Sequence, residues 1–183
     1  MAVDLASTHF ELFGLPADFR IDREQLDSRF RELQRTVHPD RYASATEQER
    51  RLSMQQAVRI NEGYQTLKDP LKRGRYLLEL GGYRFADGQQ TTADAAFLLG
   101  QMELREALGE VRSSADPLGR LGEIMERIAG DFDRLVDELP ACLEASDTPH
   151  QDKAADLLMK MQFYRRLEQE AQDLEASIED EQE

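Results

Sequence analysis

Apolar residues recur along most of this chain at three- and four-residue intervals. Leu26, Phe30, Leu33 and Val37 follow a 4-3-4 spacing, which places them in one stripe along a helix. Met54, Ala57, Ile60, Tyr64 and Leu67 form a second stripe. Leu121, Ile124, Ile128, Leu135 and Leu139 form a third, and Leu157, Met161, Tyr164, Ala171 and Ile178 a fourth. No segment alternates with the period of two that a strand requires. Helix starts are marked by capping-box pairs: Thr8 with Glu11, Asp22 with Gln25, Thr46 with Glu49, and Thr148 with Gln151. Asp69-Pro70, Asp116-Pro117 and Thr148-Pro149 put proline at the first helical position, where its missing N–H costs nothing. Together these signals predict helices over 8–13, 22–37, 46–68, 70–80, 92–111, 116–145 and 149–179.

The fold class is therefore all-α. Helices 22–37 and 46–68, joined by a short polar segment, read as an antiparallel hairpin with facing stripes. Gly63 within the second of them costs about 1 kcal/mol against alanine and weakens that assignment. The stretch 81–90 has three glycines and no helical period, so it is the best linker. The expected organisation is an N-terminal domain over 1–82, a linker over 83–90, and a three-helix bundle over 91–183.

Charge sharpens the division. Residues 1–90 hold 14 Lys+Arg and 14 Asp+Glu, whereas residues 91–183 hold 9 and 23 and carry the whole net charge of −14. Two halves so differently charged are expected to meet different partners. The acidic balance disfavours nucleic acid, because phosphate binding needs positive surface. No apolar run approaches the roughly 20 residues of a membrane span, and the first residues lack the basic and apolar regions of a secretory signal. The single cysteine, Cys142, cannot form an internal disulfide or ligate a metal alone, so the cytoplasm is the expected compartment and no metal or cofactor is expected. Whether its thiol is inert or mildly reactive stays open.

His38-Pro39-Asp40 stands where helix 22–37 must end, since proline pushes the residue before it out of the helical region. Arg31, Gln34, Arg35 and His38 fall on one flank, away from the apolar stripe. A basic flank leading into an exposed turn suits an acidic partner. The plainer readings are that Asp40 is an ordinary turn residue and that His38 answers the helix dipole. An enzymatic reading, with His38 as base and Asp40 as its orienter, lacks support. No nucleophile elbow or glycine-rich phosphate loop accompanies it, and His9 and His150 stand isolated.

Helix 92–111 has apolar residues on two sides. Phe97, Leu104, Leu108 and Val111 lie within about 60° of arc and make a core stripe. Ala95, Leu98, Leu99 and Met102 lie opposite, flanking Glu106 and bordered by Glu103 and Glu110. An apolar patch rimmed by carboxylates is the composition of a protein-binding face. Burial on two sides would explain it as well. Phe163, beside Leu167, suits a core position or a contact equally. The acidic stretch from Glu175 to Glu183 reads most simply as a solvated, fraying helix end.

Three segments carry a family resemblance. Phe10 to Leu15, Leu33 to Arg41 with its His-Pro-Asp, and Ile60 to Pro70 followed by Arg73 and Tyr76 resemble the J-domain over most of 8–80. The segment from Ala96 to Glu106, following such a domain, resembles the HscB family, the J-type co-chaperones of iron–sulfur cluster biogenesis, over nearly the whole chain. The resemblance implies that His38, Pro39 and Asp40, with Arg31, Arg35 and Arg41, contact the DnaK-type chaperone HscA and stimulate its ATPase. It implies that Leu98, Leu99, Met102, Glu103, Glu106 and Phe163 contact the cluster scaffold protein IscU. Leu99 departs slightly from the family pattern, and the N-terminal cysteine module of some members is missing. Phe30, Leu33, Tyr64 and Leu67 are expected in the core. The alternatives are a J-domain co-chaperone for a different client and a non-enzymatic helical adaptor.

Overall fold

The computed structural model describes residues 7–38, 46–85, 92, 94–145 and 147–181, and all the regular structure among them is helical. The elements are α1 (His9–Phe13), α2 (Arg23–Thr36), α3 (Glu47–Lys68), α4 (Pro70–Leu80), α5 (Ala95–Glu110), a 3₁₀ turn (Val111–Ser113), α6 (Pro117–Leu143) and α7 (Thr148–Asp180). The seven α-helices among the described residues stand where the periodicity placed seven.

Capping explains the boundaries. Thr8 with Glu11 and Thr46 with Glu49 form complete capping boxes. Asp22, Asp69, Asp94 and Asp116 each accept a backbone N–H from their own first turn. At α7 the cap is Asp147, which accepts from the His150 N–H at 3.0 Å, and not Thr148. Pro149 is thus the second helical residue. An ionised aspartate answers the exposed N–H groups and the helix dipole better than a hydroxyl. Gly14 ends α1 with φ +64°, a left-handed conformation that glycine adopts without Cβ strain.

The chain divides into two compact units, Met1–Gly82 and Tyr83–Glu183. In the first, α2 and α3 pack around Leu26, Val37, Ile60 and Leu67, and α1 adds Phe10 and Phe13. Phe30 stacks on Tyr64 with ring centres 3.9 Å apart, and Leu33 is half-buried beside them. The Tyr64 hydroxyl donates to Asp27 at 3.0 Å and accepts from Arg23 at 3.2 Å. That polar clasp joins α2 to α3 at the end remote from their connecting segment.

The α3 stripe differs from expectation. Met54 is 71% exposed, and the buried positions are Ser53, Gln56, Ile60, Gly63 and Leu67. This 3-4-3-4 row turns polar at its N-terminal end, where the Ser53 hydroxyl serves the end of α2 by donating to a backbone carbonyl. Gly63 has a packing reason. A Cβ there would stand 3.0 Å from both His9 Nδ1 and Phe13 Cε2, so the bare backbone is what lets α1 lie against α3.

In the second unit α6 and α7 pair antiparallel across a short connection, as Glu138 with Lys153 near the turn and Arg112 with Glu181 at the far end show. Leu121, Ile124 and Ile128 meet Leu167, Ala171 and Ile178, with Leu104 and Val111 from the α5 side. Tyr83 belongs with this unit, because its hydroxyl bonds Asp152 at 3.2 Å. Of the expected linker, residues 86–90 lie outside the described residues. The C-terminal stretch is helical to Asp180, and Arg112 grips Glu181 through two contacts of 2.6 and 2.8 Å. The acidic end is thereby partly tethered, not a loose fringe.

His9 gives the first unit a pH dependence. Burial, then the Arg59 guanidinium, hold its imidazole below the usual 6.5, with Glu62 opposing. Its Nδ1 is buried without a hydrogen-bond partner, and its ring lies against Tyr76. The unfolded chain therefore takes up the proton first. Stability is complete above about pH 6.5 and declines as pH falls through that value towards the folded-state pKa. Urea midpoints of the first unit should drop between pH 7.5 and 5.5, and His9→Gln should flatten that slope.

Candidate functional site

The end of α2 is held firmly and leaves His38 in the open. Val37 leaves the helix at φ −105° and ψ 9° and is itself buried. Its carbonyl accepts the buried Ser53 hydroxyl of α3 at 3.0 Å. The Thr36 hydroxyl turns back to the Leu33 carbonyl at 2.7 Å. The last turn is thus pinned to the neighbouring helix, and His38, the next residue, is exposed. Pro39, Asp40 and Arg41 lie outside the described residues.

Arg31, Gln34, Arg35, Val37 and His38 line an open groove whose other wall is Ala57 and Asn61 of α3. Gln34 reaches across to Asn61 at 3.4 Å. Arg23 and Arg29 of α2 are paired with Asp27 and Glu32. Arg31 and Arg35 form no ion pair among the described residues. Their charges face the groove unneutralised by those residues, so it carries a positive potential suited to carboxylates. Sequence reasoning missed the α3 wall. The exposed Met54 and Val58, on the same side of α3 as Ala57 and Asn61, were the available signal.

On α5 the expected residues separate into three situations. Leu98, Leu99 and Met102 are 43%, 58% and 68% exposed, within one turn of each other, with Glu106 exposed beside them. Glu103 is exposed but accepts from Arg127 of α6 at 3.1 Å, so it also fastens α5 to α6. Phe163 is half-buried at the edge of the bundle core, 5.6 Å from the Phe97 ring and 5.4 Å from Tyr164, with Arg105 over its face. Three adjacent large apolar side chains in water form a patch that a lone exposed leucine would not. The inward side of α5 holds the half-buried Phe97 and the buried Leu104.

Lys160 belongs to no motif that the sequence displays. It sits among the buried Leu157, Met161 and Tyr164 of α7 and is itself buried. Its ammonium meets Asp94 at 2.7 Å and Asp156 at 2.9 Å. Lysine within a core stripe, four residues after an aspartate, was the legible hint. Burial pushes the Cys142 thiol up, which makes it a poor thiolate at neutral pH. Among the described residues no three His, Cys, Asp or Glu side chains are grouped to hold a metal ion. No helix among them is long and apolar enough to cross a membrane.

This architecture has close counterparts. Residues 93–172 match the family described as the HSCB C-terminal oligomerisation domain. The co-chaperone protein HscB homolog of Pseudoalteromonas atlantica is 38% identical over 172 residues, 94% of this chain and 98% of that protein. Its counterpart in Shewanella baltica is 40% identical over 170 residues, 93% and 98% of the two chains. The chain belongs to the HscB family of co-chaperones. The solved chaperone HscB from Vibrio cholerae superposes with a TM-score of 0.82 at 38% identity, covering 93% of this chain and 99% of that one. The chain is accordingly a J-domain co-chaperone of iron–sulfur cluster biogenesis, and α5 lies within the matched C-terminal residues.

The Ser53 contact gives the groove at His38 a testable support. Ser53→Ala leaves the Val37 carbonyl buried without its donor and should cost about 1–2 kcal/mol. Urea unfolding of the first unit measures that loss.

Proposed function

We propose that this chain carries the iron–sulfur scaffold protein IscU to the DnaK-type chaperone HscA and stimulates that chaperone's ATPase. The observation that carries the proposal is the groove at the end of α2, where Arg31 and Arg35 stand beside His38 with no ion pair among the described residues. An acidic surface of the chaperone docks there, with Pro39, Asp40 and Arg41 continuing the contact. ATP is bound and hydrolysed by the chaperone, and this chain supplies binding energy, not chemistry. The reading places it in the cytoplasm, without a cofactor, a nucleic-acid partner or a membrane.

The scaffold sits on the outer side of α5. Leu98, Leu99 and Met102 supply apolar anchors, and Glu106 and Glu103 a polar rim, which is the distribution of a protein interface. Phe163 contributes from the edge of the core, where its packing on Phe97 orients α5 as well as offering a ring edge. Holding scaffold and chaperone on one chain converts the second encounter into an intramolecular one and raises the scaffold's effective concentration at the chaperone.

Two measurements decide between the parts. His38→Gln should abolish stimulation of HscA's steady-state ATPase while leaving IscU affinity and helicity unchanged; normal stimulation by that variant would refute the chaperone contact. Leu98→Ala with Met102→Ala should weaken IscU binding by about 2–4 kcal/mol in calorimetry, the loss expected for two buried anchors. An unchanged dissociation constant, with ATPase stimulation intact, would leave a J-domain co-chaperone with a different client.

A further inference from the structure

The first turn and a half of α5 carries Leu98 and Leu99 outward while offering the bundle little inward surface. Phe97 is half-buried, and the first fully buried residue, Leu104, comes nearly three turns after the cap. Phe97 packs edge-on against Phe163 and Tyr164, and polar contacts add to that hold. Asp94 caps it, one carboxylate oxygen accepting the Phe97 N–H at 3.1 Å. The other oxygen accepts from the Lys160 ammonium of α7 at 2.7 Å. The same ammonium is held by Asp156 at 2.9 Å and lies 5.4 Å from the centre of the Phe97 ring. One cation therefore grips both the cap of α5 and its first inward aromatic.

We propose that Lys160 is a positioning residue for scaffold binding, clamping the start of α5 to α7 so that Leu98 and Leu99 are presented as a rigid pair. The inference rests on the reading of α5's outer side as the scaffold surface. A clamp of this kind raises affinity by preorganisation, because a frayed turn would have to be ordered at the moment of binding.

The electrostatics suit a permanent clamp and not a switch. Burial alone would lower the Lys160 pKa, but the hydrogen bonds of Asp94 and Asp156 outweigh it and hold the ammonium above its usual range. The Lys160 contact, then the Phe97 N–H, hold the Asp94 carboxyl below its usual range. Asp131, Arg134, Glu138 and Lys153 complete the charges around the cleft and balance one another. The pair is thus ionised across the neutral range. Lysine is a compact point charge on a long stem, able to reach the cap from within the core stripe of a neighbouring helix.

The test uses the full chain, purified IscU and variants at Lys160 and Asp94, with Leu98→Ala plus Met102→Ala as the control. Lys160→Met should weaken IscU binding about tenfold, a change of about 1.4 kcal/mol. Amide exchange should quicken at residues 95–99 while α6 and the rest of α7 keep their protection. Lys160→Arg should restore most of the affinity. Asp94→Asn keeps an acceptor for the Phe97 N–H but removes the charge and the second acceptor oxygen that meets Lys160, so it should shift affinity in the same direction. Combined with Lys160→Met it should add little. Should Lys160→Met unfold the bundle by circular dichroism, Asp94→Asn decides alone. Unchanged affinity or unchanged exchange at 95–99, in variants that fold, overturns the clamp provided Leu98→Ala with Met102→Ala weakens binding. Should that control leave IscU affinity untouched, the reading of α5 falls and the positioning role falls with it.

Discussion

The pairing of α2 with α3 is the interaction on which the first unit depends. Its apolar part, from Leu26 and Val37 to Ile60 and Leu67, buries side chains that neither helix could hide alone. Its polar ends then decide geometry. At one end the Tyr64 hydroxyl holds Asp27 and Arg23, and at the other the Ser53 hydroxyl takes the Val37 carbonyl that closes α2. The helices cannot slip along each other without breaking one of these. His38 comes directly after the pinned end, so its position is set by the hairpin and not by its own contacts with a core. A side chain placed this way is exposed and yet anchored, which is what the proposed chaperone contact would need.

The second unit solves the opposite problem with different means. Here the long α6 and α7 supply a continuous core, and α5 is the helix with least to bury. Its attachments are individually identifiable: Asp94 to Lys160, Glu103 to Arg127, Phe97 to Phe163 and Tyr164, and the 3₁₀ turn through Arg112 to Glu181. The exposed pairs among them, Glu103 with Arg127 and Arg112 with Glu181, contribute little one by one. Their value lies in direction, since they set the rotation of a helix whose outer side is apolar. An apolar patch in water is costly to keep, and a fold retains one where a partner covers it. Bundle packing and the proposed scaffold contact thus draw on the same helix from opposite sides.

Electrostatics separate the two surfaces. The groove beside His38 gathers guanidinium groups that no described carboxylate neutralises, in a neutral half of the chain. The α5 patch is rimmed by carboxylates in a half that carries the whole excess of negative charge. A partner complementary to one would be repelled by the other. That division would keep the two proposed contacts from competing for one site.

Local patterning by itself determined the seven helices and most of their stripes, because caps and apolar periodicity act within a few residues, while the segments around His38 and from Ala96 to Glu106 carried the likeness to the HscB family. It also determined that Leu98, Leu99 and Met102 point away from Phe97 and Leu104, since 100° per residue admits no other arrangement. Only tertiary packing decided the rest. Met54 left its stripe because the end of α2 needed a hydroxyl donor from Ser53 more than another apolar neighbour. Gly63, a fault by helix propensity, is where α1 crosses close to α3. Phe163 was undecided between core and contact in the sequence, and it lies at the core's edge because Phe97 reaches it from another helix. The grip of Lys160 on α5 was hidden for the same reason, since its partner Asp94 stands 66 residues away, and no periodicity within one helix can report a contact that exists only once α5 and α7 have met.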